Sequence, residues 1–386
     1  MQTYLRLPVG FARGQGAWLW DTTGKRYLDA LAGLAVTTLG HAHPQVAEAI
    51  ADQAHTLLHT SNLYDIPLQK QLGKRLCNVA QMERAFFCNS GAEANEAAIK
   101  VARRFGHQKG IDLPAIVVTD GAFHGRTLAT LTATGNRKVH AGFEPLVSGF
   151  KRVPFNHLEA IRQLSRSDQN VVAVFVEPIQ GEGGINIPDP GYLRGLREIC
   201  NRNHWLLMLD EIQTGMCRTG EWFAYQHDEI VPDVMTVAKA LGNGIPIAAC
   251  MARGPAAEVL VPGSHGSTFG GNPFACRVAL TVLDILEQDQ FSDRATRLGG
   301  RILGALEQRL AGCASVRAIR GRGLMMAVEL DRPCTELVSL AIEQGLLINV
   351  TAERVIRLLP PLIFSDEEAD ILVERLAMVI KKFVGA

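Results

Sequence analysis

The sequence has no excess of charge of one sign and no apolar run long enough to cross a membrane. Its 39 lysines and arginines balance 39 aspartates and glutamates, and no long run of either sign interrupts the chain. Such a balance does not favour nucleic acid or an anionic membrane as a partner. A membrane-spanning helix needs about 18 consecutive apolar residues, and no stretch approaches that length. We therefore expect a small molecule as the ligand.

Paired cysteine spacing and a targeting segment are also absent. The eight cysteines show no CxxC pattern, which is typical of reduced thiols rather than of a disulfide framework or a zinc site. Residues 1–10 lack the basic segment, apolar run and cleavage site of a secretory signal, so we expect a cytoplasmic protein. No strand-like segment is followed by GxGxxG, which argues against a dinucleotide site.

Short apolar runs predict the strands of an α/β sheet. Residues 115–119, 171–176 and 206–209 are such runs, and residues 192–200 between the last two have the apolar spacing of a helix. A strand, a helix and a strand in this order predict parallel strands joined by a right-handed crossover. Since the runs are almost continuously apolar, both faces of the sheet should be covered.

The chain changes character after about residue 285, and its 386 residues are many for a single core. The later part predicts a smaller α+β domain. Its features are an amphipathic segment at 295–310, a Gly-rich turn at 321–323, a strand at 324–330 and a terminal helix from Glu367. Near the start, residues 16–29 predict a hairpin around Thr23–Gly24, which on pattern alone could pack with either domain.

An ionisable residue follows the end of each of two strand-like runs. Asp210 ends the run at 206–209, and Lys239 follows residues 236–238. Ligands of parallel sheets bind at the carboxyl ends of the strands. A lysine amine can form an imine with the aldehyde of pyridoxal phosphate, and an aspartate can keep its pyridine nitrogen protonated. The pair therefore predicts a pyridoxal-phosphate site.

Two further segments have side chains suited to ligand groups: the first to a phosphate, and the second to a flat ring and a carboxylate. Ser90 followed by Glu93 predicts a capping box at a helix start, where free amides attract anions; an ordinary capped helix is the alternative. Phe123 and Arg126 follow a predicted strand, so that the aromatic could lie against a flat ring and the arginine could bind a carboxylate. The alternative is a loop with a surface arginine, and we expect His124 to form loop hydrogen bonds rather than to bind a metal.

Three more segments complete the candidate site. Glu182 lies in a turn rich in glycine and proline after the strand at 171–176, and the loop at 264–273 offers glycines and hydroxyls suited to phosphate. Arg357 lies in an apolar run that ends in two prolines. Because a buried arginine needs a partner, a substrate carboxylate and Glu182 are both candidates.

Taken in order, these motifs resemble the class III aminotransferases, which are fold-type I pyridoxal-phosphate enzymes, over residues 40–361. The resemblance implies a mostly parallel sheet in a large domain, with a smaller α+β domain formed by both termini. It also implies boundaries at 1–50 for a segment packing with the small domain, 51–285 for the large cofactor-binding domain and 286–386 for the small domain.

The resemblance also implies the roles of the cofactor-binding residues. Lys239 would hold the cofactor as an imine and move the substrate proton, and Asp210 would pair with the pyridinium nitrogen. Ala92 stands where many relatives have threonine, which removes a hydroxyl but leaves the amide. The other implied contacts are Gln213 to the phenolic oxygen, Phe123 stacked on the ring, Ser90, Gly91 and Ala92 on the phosphate, and Thr268 reaching the phosphate from the other subunit of a homodimer.

Within the family the chain is most similar to members that act on acetylornithine. The implied reaction moves the δ-amino group of acetylornithine to 2-oxoglutarate and produces glutamate in arginine biosynthesis. Arg126 would bind the distal carboxylate of either substrate, with Ser267 assisting for the acetylated one. Arg357 would bind the α-carboxylate of glutamate, and Glu182 would neutralise Arg357 when that carboxylate is absent.

Several substrates and one other reaction class stay open on sequence. Ornithine δ-aminotransferases have a tyrosine at the position matching Leu34, so that an apolar residue favours an acylated α-amine. Succinylornithine, succinyldiaminopimelate, ornithine and 4-aminobutyrate are the alternative donors. A pyridoxal-phosphate aminomutase or racemase is the rival class, although Arg126, Arg357 and Glu182 together favour a two-substrate enzyme. A cofactor-free relative would require loss of Lys239 or Asp210, and both are present.

Overall fold

The computed structural model describes residues 1–385 and contains three sheets. Within these residues the strands are β1 (Phe11–Gln15), β2 (Trp18–Asp21), β3 (Arg26–Asp29), β4 (Arg84–Cys88), β5 (Ala115–Thr119), β6 (Phe150–Val153), β7 (Val171–Val176), β8 (Leu206–Asp210), β9 (Val234–Val237), β10 (Ala248–Ala252), β11 (Val316–Arg322), β12 (Met325–Leu330), β13 (Leu346–Leu347), β14 (Asn349–Thr351) and β15 (Val355–Leu358). The α-helices are α1 (Ala32–Ala35), α2 (Pro44–Thr56), α3 (Pro67–Val79), α4 (Gly91–Gln108), α5 (Leu128–Ala133), α6 (Leu158–Ser167), α7 (Tyr192–Asn203), α8 (Pro273–Gln288), α9 (Phe291–Arg309), α10 (Leu337–Glu343) and α11 (Asp366–Val384).

The central sheet has seven strands in the order β4-β10-β9-β8-β7-β5-β6. The pairs from β9 to β6 are parallel, and β10 pairs antiparallel with both β9 and β4. Every residue of β5, β7 and β8 is buried, because the sheet is covered on both faces. Helix α7 lies between β7 and β8, as predicted for a crossover. The predicted α/β class is confirmed.

Two smaller sheets come from the two ends of the chain. β11, β12, β15 and β14 form an antiparallel sheet, and β13 pairs in parallel with β3, which joins the N-terminal hairpin to residues 346–347. The hairpin around Thr23–Gly24 is confirmed by the antiparallel pairing of β2 with β3. The fold is thus a mostly parallel sheet with a smaller α+β part from both termini. The boundaries near residues 50 and 285 stay predictions.

The later helices begin close to where the sequence places them. Helix α9 starts at Phe291, four residues before the predicted 295, and α11 starts at Asp366 with Ser365 and Glu368 forming its capping box. The early start of α9 brings Phe291 into the core, where it is 4% exposed. Among residues 1–385, none of the helices combines the length and the apolar character that crossing a membrane requires.

Candidate active site

A cavity of about 500 Å³ lies at the carboxyl ends of the parallel strands of the central sheet. This is the edge at which parallel sheets bind ligands. It brings together residues from β8, from the segments after β5, β7 and β9, and from the start of α4. The predicted site residues that line it are Ser90, Gly91, Ala92, Phe123, Arg126, Glu182, Asp210, Gln213 and Lys239.

Strand pairing brings Asp210 and Lys239 to the same end of the sheet. Asp210 is the last residue of β8 and pairs with Thr236 of β9, and Lys239 follows three residues after Thr236. Burial lowers the pKa of the Lys239 ammonium, and the nearby Arg357 guanidinium lowers this pKa further. A lowered pKa increases the fraction of neutral amine, which is the form that reacts with an aldehyde.

Three donors hold the Asp210 carboxylate in place. Its Oδ2 accepts hydrogen bonds from Nδ2 of Asn95 and from Nδ1 of His124, each at 2.8 Å. Its Oδ1 accepts from the Ile212 amide at 3.1 Å. Asn95 in turn accepts from the Thr236 hydroxyl at 2.7 Å. The carboxylate is therefore fixed in orientation and 4% exposed, as a partner for a ring nitrogen should be.

Sequence reasoning missed Asn95 and underestimated His124. The His124 ring stacks on Phe175, with centroids 4.2 Å apart, and its Nε2 is buried without a partner among the described residues. It binds Asp210 rather than acting only as a loop residue. The signal for Asn95 was its place on the otherwise apolar inner face of α4, where a fully buried amide needs polar partners.

The N-terminus of α4 provides an anion site on the wall of the cavity. Ser90 is its N-cap and accepts from the Glu93 amide at 3.3 Å. The predicted capping box is wrong in one bond, because the Glu93 carboxylate accepts from the Asn89 amide at 2.6 Å instead of from the Ser90 amide. A Cβ on Gly91 would lie 2.7 Å from Cδ1 of Ile212, so that a larger residue here would require the Ile212 side chain to shift. Phosphate oxygens suit such a helix end.

Arg357 and Glu182 form an ion pair beside the cavity. Nη1 of Arg357 lies 2.7 Å from Oε1 of Glu182. The Arg357 side chain is fully buried, whereas that of Glu182 is 37% exposed. The other Arg357 bonds go to neutral acceptors, Asn349 Oδ1 at 3.1 Å and Gln213 Oε1 at 3.4 Å. Of the two partners expected for Arg357, the structure brings Glu182 to it.

Phe123 and Arg126 also line the cavity. Phe123 is half-buried, and the exposed Arg126 guanidinium lies 5.8 Å from the centroid of its ring. The Phe123 amide donates to Oε2 of Glu177 at 2.9 Å, and the Gly181 amide donates to Oε1 at 3.1 Å. Burial raises the pKa of the Glu177 carboxyl to about 7. Glu177, not predicted as a site residue, thus ties together the segments that carry Phe123 and Glu182.

Ser267 and Thr268 lie outside this cavity within the single chain. They line a separate pocket of about 370 Å³ together with Asn89 and Glu93. Ser267 Oγ accepts from the Gly270 amide at 3.0 Å. The structure therefore does not bring Ser267 to Arg126 within one chain. The contact of Thr268 with the phosphate of the neighbouring subunit stays a prediction.

Leu34 does not line the cavity within the single chain, and its role in the choice of donor stays a prediction. Its side chain is 37% exposed, and it is not among the residues that line the cavity, whereas Val36 is. The reason is local backbone geometry, since Gly33, Leu34 and Ala35 all have positive φ and turn the chain sharply. Leu34 consequently lies on the outer surface of this turn.

The donor set fits a flat, phosphorylated pyridine aldehyde. The buried carboxylate of Asp210, the amine of Lys239 with its lowered pKa, the aromatic Phe123 and the helix end at Gly91 surround one space. Among residues 1–385 no cluster of three or more His, Cys, Asp or Glu side chains suits a metal ion. The amine, the carboxylate, the aromatic ring and the helix end are the groups that an organic cofactor with an aldehyde and a phosphate requires.

Comparison with known proteins gives a consistent result. The family model described as aminotransferase class-III matches residues 2–380. The acetylornithine aminotransferase of Nitrosomonas europaea is 54% identical, covering 100% of this chain and 98% of its own. The ornithine aminotransferase of Toxoplasma gondii, whose structure has pyridoxal phosphate at partial occupancy in its active site, superposes with a TM-score of 0.96 at 37% identity, covering 100% of this chain and 93% of its own.

A third relative has a solved structure and the same name as the relative from Nitrosomonas europaea. The crystal structure of acetylornithine aminotransferase from Elizabethkingia anophelis has a TM-score of 0.89 at 32% identity, covering 99% of this chain and 96% of its own. All of these matches extend over nearly the whole length of both proteins, so the likeness is not confined to one motif. The chain belongs to the class III aminotransferases, which are pyridoxal-phosphate enzymes.

Proposed function

We propose that this enzyme moves the δ-amino group of N2-acetylornithine to 2-oxoglutarate, giving N-acetylglutamate semialdehyde and glutamate in arginine biosynthesis. The observation that carries the proposal is the ion pair between Glu182 and the fully buried Arg357. A pocket with a neutralised arginine can accept two substrates that differ in the group beside the reacting carbon. Full-length relatives with the name acetylornithine aminotransferase support the choice of donor.

Each part of the cofactor would be bound or activated by a different residue of the chain. Bound pyridoxal phosphate supplies an aldehyde that condenses with amines and a ring that accepts electrons from the substrate. The Lys239 amine would attach the cofactor through its aldehyde, and, once released, would hold the proton taken from the reacting carbon of the substrate. Asp210 keeps the proton on the ring nitrogen. The proposed binding contacts are Ser90, Gly91 and Ala92 for the phosphate, Phe123 for the ring face and Gln213 for the phenolic oxygen.

The two arginines and Glu182 would select the substrates. Arg126, exposed in the cavity wall, binds the distal carboxylate of either substrate. When glutamate reacts, its α-carboxylate replaces Glu182 on Arg357. When acetylornithine reacts, a methylene stands there, and Glu182 keeps the buried guanidinium paired. An unpaired buried charge would otherwise cost about 3 to 5 kcal/mol.

We further propose a homodimer with shared active sites, in which Thr268 of one subunit reaches the phosphate of the other and Ser267 assists Arg126. The support is that both side chains line a pocket separate from the Lys239 cavity in their own chain. The proposed domains are 1–50, 51–285 and 286–386. The eight unpaired cysteines support a reducing compartment, and we propose the cytoplasm.

Donor comparison tests the proposal. We expect acetylornithine with 2-oxoglutarate to react with a higher kcat/KM than free ornithine, succinylornithine, succinyldiaminopimelate or 4-aminobutyrate. Ornithine is the second candidate, because the Toxoplasma gondii ornithine aminotransferase superposes with a TM-score of 0.96. A higher kcat/KM for ornithine would refute the proposed donor. Conversion of the donor without any 2-oxoglutarate requirement would instead indicate an aminomutase or racemase.

A further inference from the structure

The segment that carries Glu182 is a closed loop held from two sides. Gln180 and Asn186 exchange backbone hydrogen bonds at 3.1 Å in both directions, which closes the loop at its base. On one side, Gln180 Nε2 donates to the Asp120 carbonyl of the segment after β5 at 2.7 Å. On the other side, the small antiparallel sheet contacts the loop. The position of Glu182 therefore depends on both sheets.

Two side chains of the small sheet bind the loop: the Thr351 hydroxyl of β14 donates to the Glu182 carbonyl, and Arg320 of β11 binds the next two carbonyls that follow Gly183. The Arg320 Nη2 donates to the Gly184 carbonyl at 2.7 Å, and its Nε donates to the Ile185 carbonyl at 2.9 Å. Its Nη1 is anchored to Glu329 of β12 at 2.6 Å. The Arg320 side chain is 22% exposed, so that these charge-assisted bonds are partly shielded from water and stronger than neutral ones.

The backbone that Arg320 binds is strained. Ile185 has φ of +53°, a region that a β-branched residue adopts only when its surroundings enforce it. Its side chain is fully buried in an apolar cluster that includes Met325 and Ala327 of the small sheet. The two carbonyls flanking this strained conformation are the ones that Arg320 binds. Without the guanidinium they would lose their partners, and the loop could relax.

We propose that Arg320 is a specificity-determining positioning residue: by binding the Gly184 and Ile185 carbonyls it holds Glu182 against Arg357. This inference rests on the proposed function, because it assigns Arg320 an effect on the discrimination between acetylornithine and glutamate. Arg320 lines neither the cavity nor the cofactor site, so its effect passes through Glu182.

The test compares Arg320→Met and Arg320→Lys with Arg317→Met, a matched control whose arginine is exposed on the same strand. In the holoenzyme, each half-reaction is followed alone in single turnover. For Arg320→Met we expect kcat/KM for acetylornithine to fall by about tenfold and that for glutamate by less than about twofold. Arg320→Lys should restore part of the loss. Arg317→Met should match the wild type.

A double variant identifies the route of the effect. If Arg320 acts through Glu182, then Glu182→Ala with Arg320→Met shows the same ratio of the two half-reactions as Glu182→Ala alone. Equal losses in both half-reactions, or an additive change in the double variant, would overturn the inference. If Arg320→Met does not fold, Arg320→Lys carries the same comparison.

Hydrogen exchange separates this inference from the proposed function. Without Arg320, the amides of residues 181–186 should exchange faster, while those of β7 and β8 should not change. An unchanged rate at 181–186 would overturn the positioning role whatever the substrate is. A wild-type enzyme that does not react with acetylornithine would refute the proposed donor alone, and faster local exchange would then still support the positioning of Glu182.

Discussion

Replacing Glu182 by alanine should slow the two half-reactions by different factors. The Arg357 guanidinium is fully buried, and Glu182 is its only anionic partner within residues 1–385, at 2.7 Å. After the replacement, only the neutral oxygens of Asn349 and Gln213 remain. While acetylornithine reacts, no substrate carboxylate takes the empty place, so that a buried charge is left without compensation.

The magnitude follows from the burial of the two partners. Breaking a fully buried pair costs about 3 to 5 kcal/mol. Because the Glu182 side chain is 37% exposed, water can reach the vacated space, and we expect about 2 kcal/mol, which is about thirtyfold in rate. In the glutamate half-reaction the α-carboxylate itself pairs with Arg357. That half-reaction should change by about threefold or less.

The assay is single-turnover stopped flow, in which the absorbance of the bound cofactor reports each half-reaction separately. Glu182→Gln is the shape-preserving control: it keeps a hydrogen-bond acceptor but removes the charge, so that its loss should be between those of the wild type and Glu182→Ala. Equal slowing of the two half-reactions would refute the reasoning, since it would mean that Glu182 supports the site without responding to the substrate carboxylate.

Three further predictions concern buried ionisable groups. Asp210→Ala should lower the rate of both half-reactions by about 10²- to 10⁴-fold, whereas a change confined to one of them, measured in single turnover, would contradict its proposed role at the ring nitrogen. Arg357→Leu should raise the pKa of Lys239, because the Arg357 charge is the second cause, next to burial, that lowers this pKa. The pH midpoint at which the apoenzyme binds the cofactor covalently should therefore move upward. An unchanged midpoint would contradict the prediction. Burial raises the pKa of Glu211 from 4.5 to about 7, so its stabilising contribution is complete below about pH 4.5 and is lost as pH rises through about 7. Urea midpoints at pH 5 and pH 8 should therefore differ more in the wild type than in Glu211→Gln, and equal differences would refute this.

The parts of the site that the sequence predicts are those encoded by one short segment. Asp210 was recognisable because it interrupts a buried apolar strand at its carboxyl end, and Ser90 because capping chemistry is local. Glu182 and Arg357 were recognisable individually because a buried arginine requires a partner. In each of these cases the physical cause lies within a few residues along the chain.

The parts that were missed depend on contacts between distant segments. Asn95 binds Asp210 across 115 positions, and Arg320 binds Ile185 across 135 positions. A polar residue on the apolar face of α4 marks Asn95 as a buried amide but does not identify its partner, and the contact of Arg320 with Ile185 leaves no periodic or compositional pattern. The surface position of Leu34 was missed for another reason, since positive φ at a non-glycine residue is imposed by tertiary packing and is not indicated by the residue type.

The chemistry and the selection of substrates therefore depend on different parts of the fold. Asp210 and Lys239 follow adjacent strands of one sheet, so their relative position is set by a parallel pairing that lies within the buried core. Glu182 and Arg357 come from different sheets and meet at 2.7 Å only if those sheets keep their relative position. A change in the small sheet should thus alter the ratio of the two half-reactions before it alters the reaction itself. Substrate preference in this fold can consequently vary while Asp210 and Lys239 stay in place.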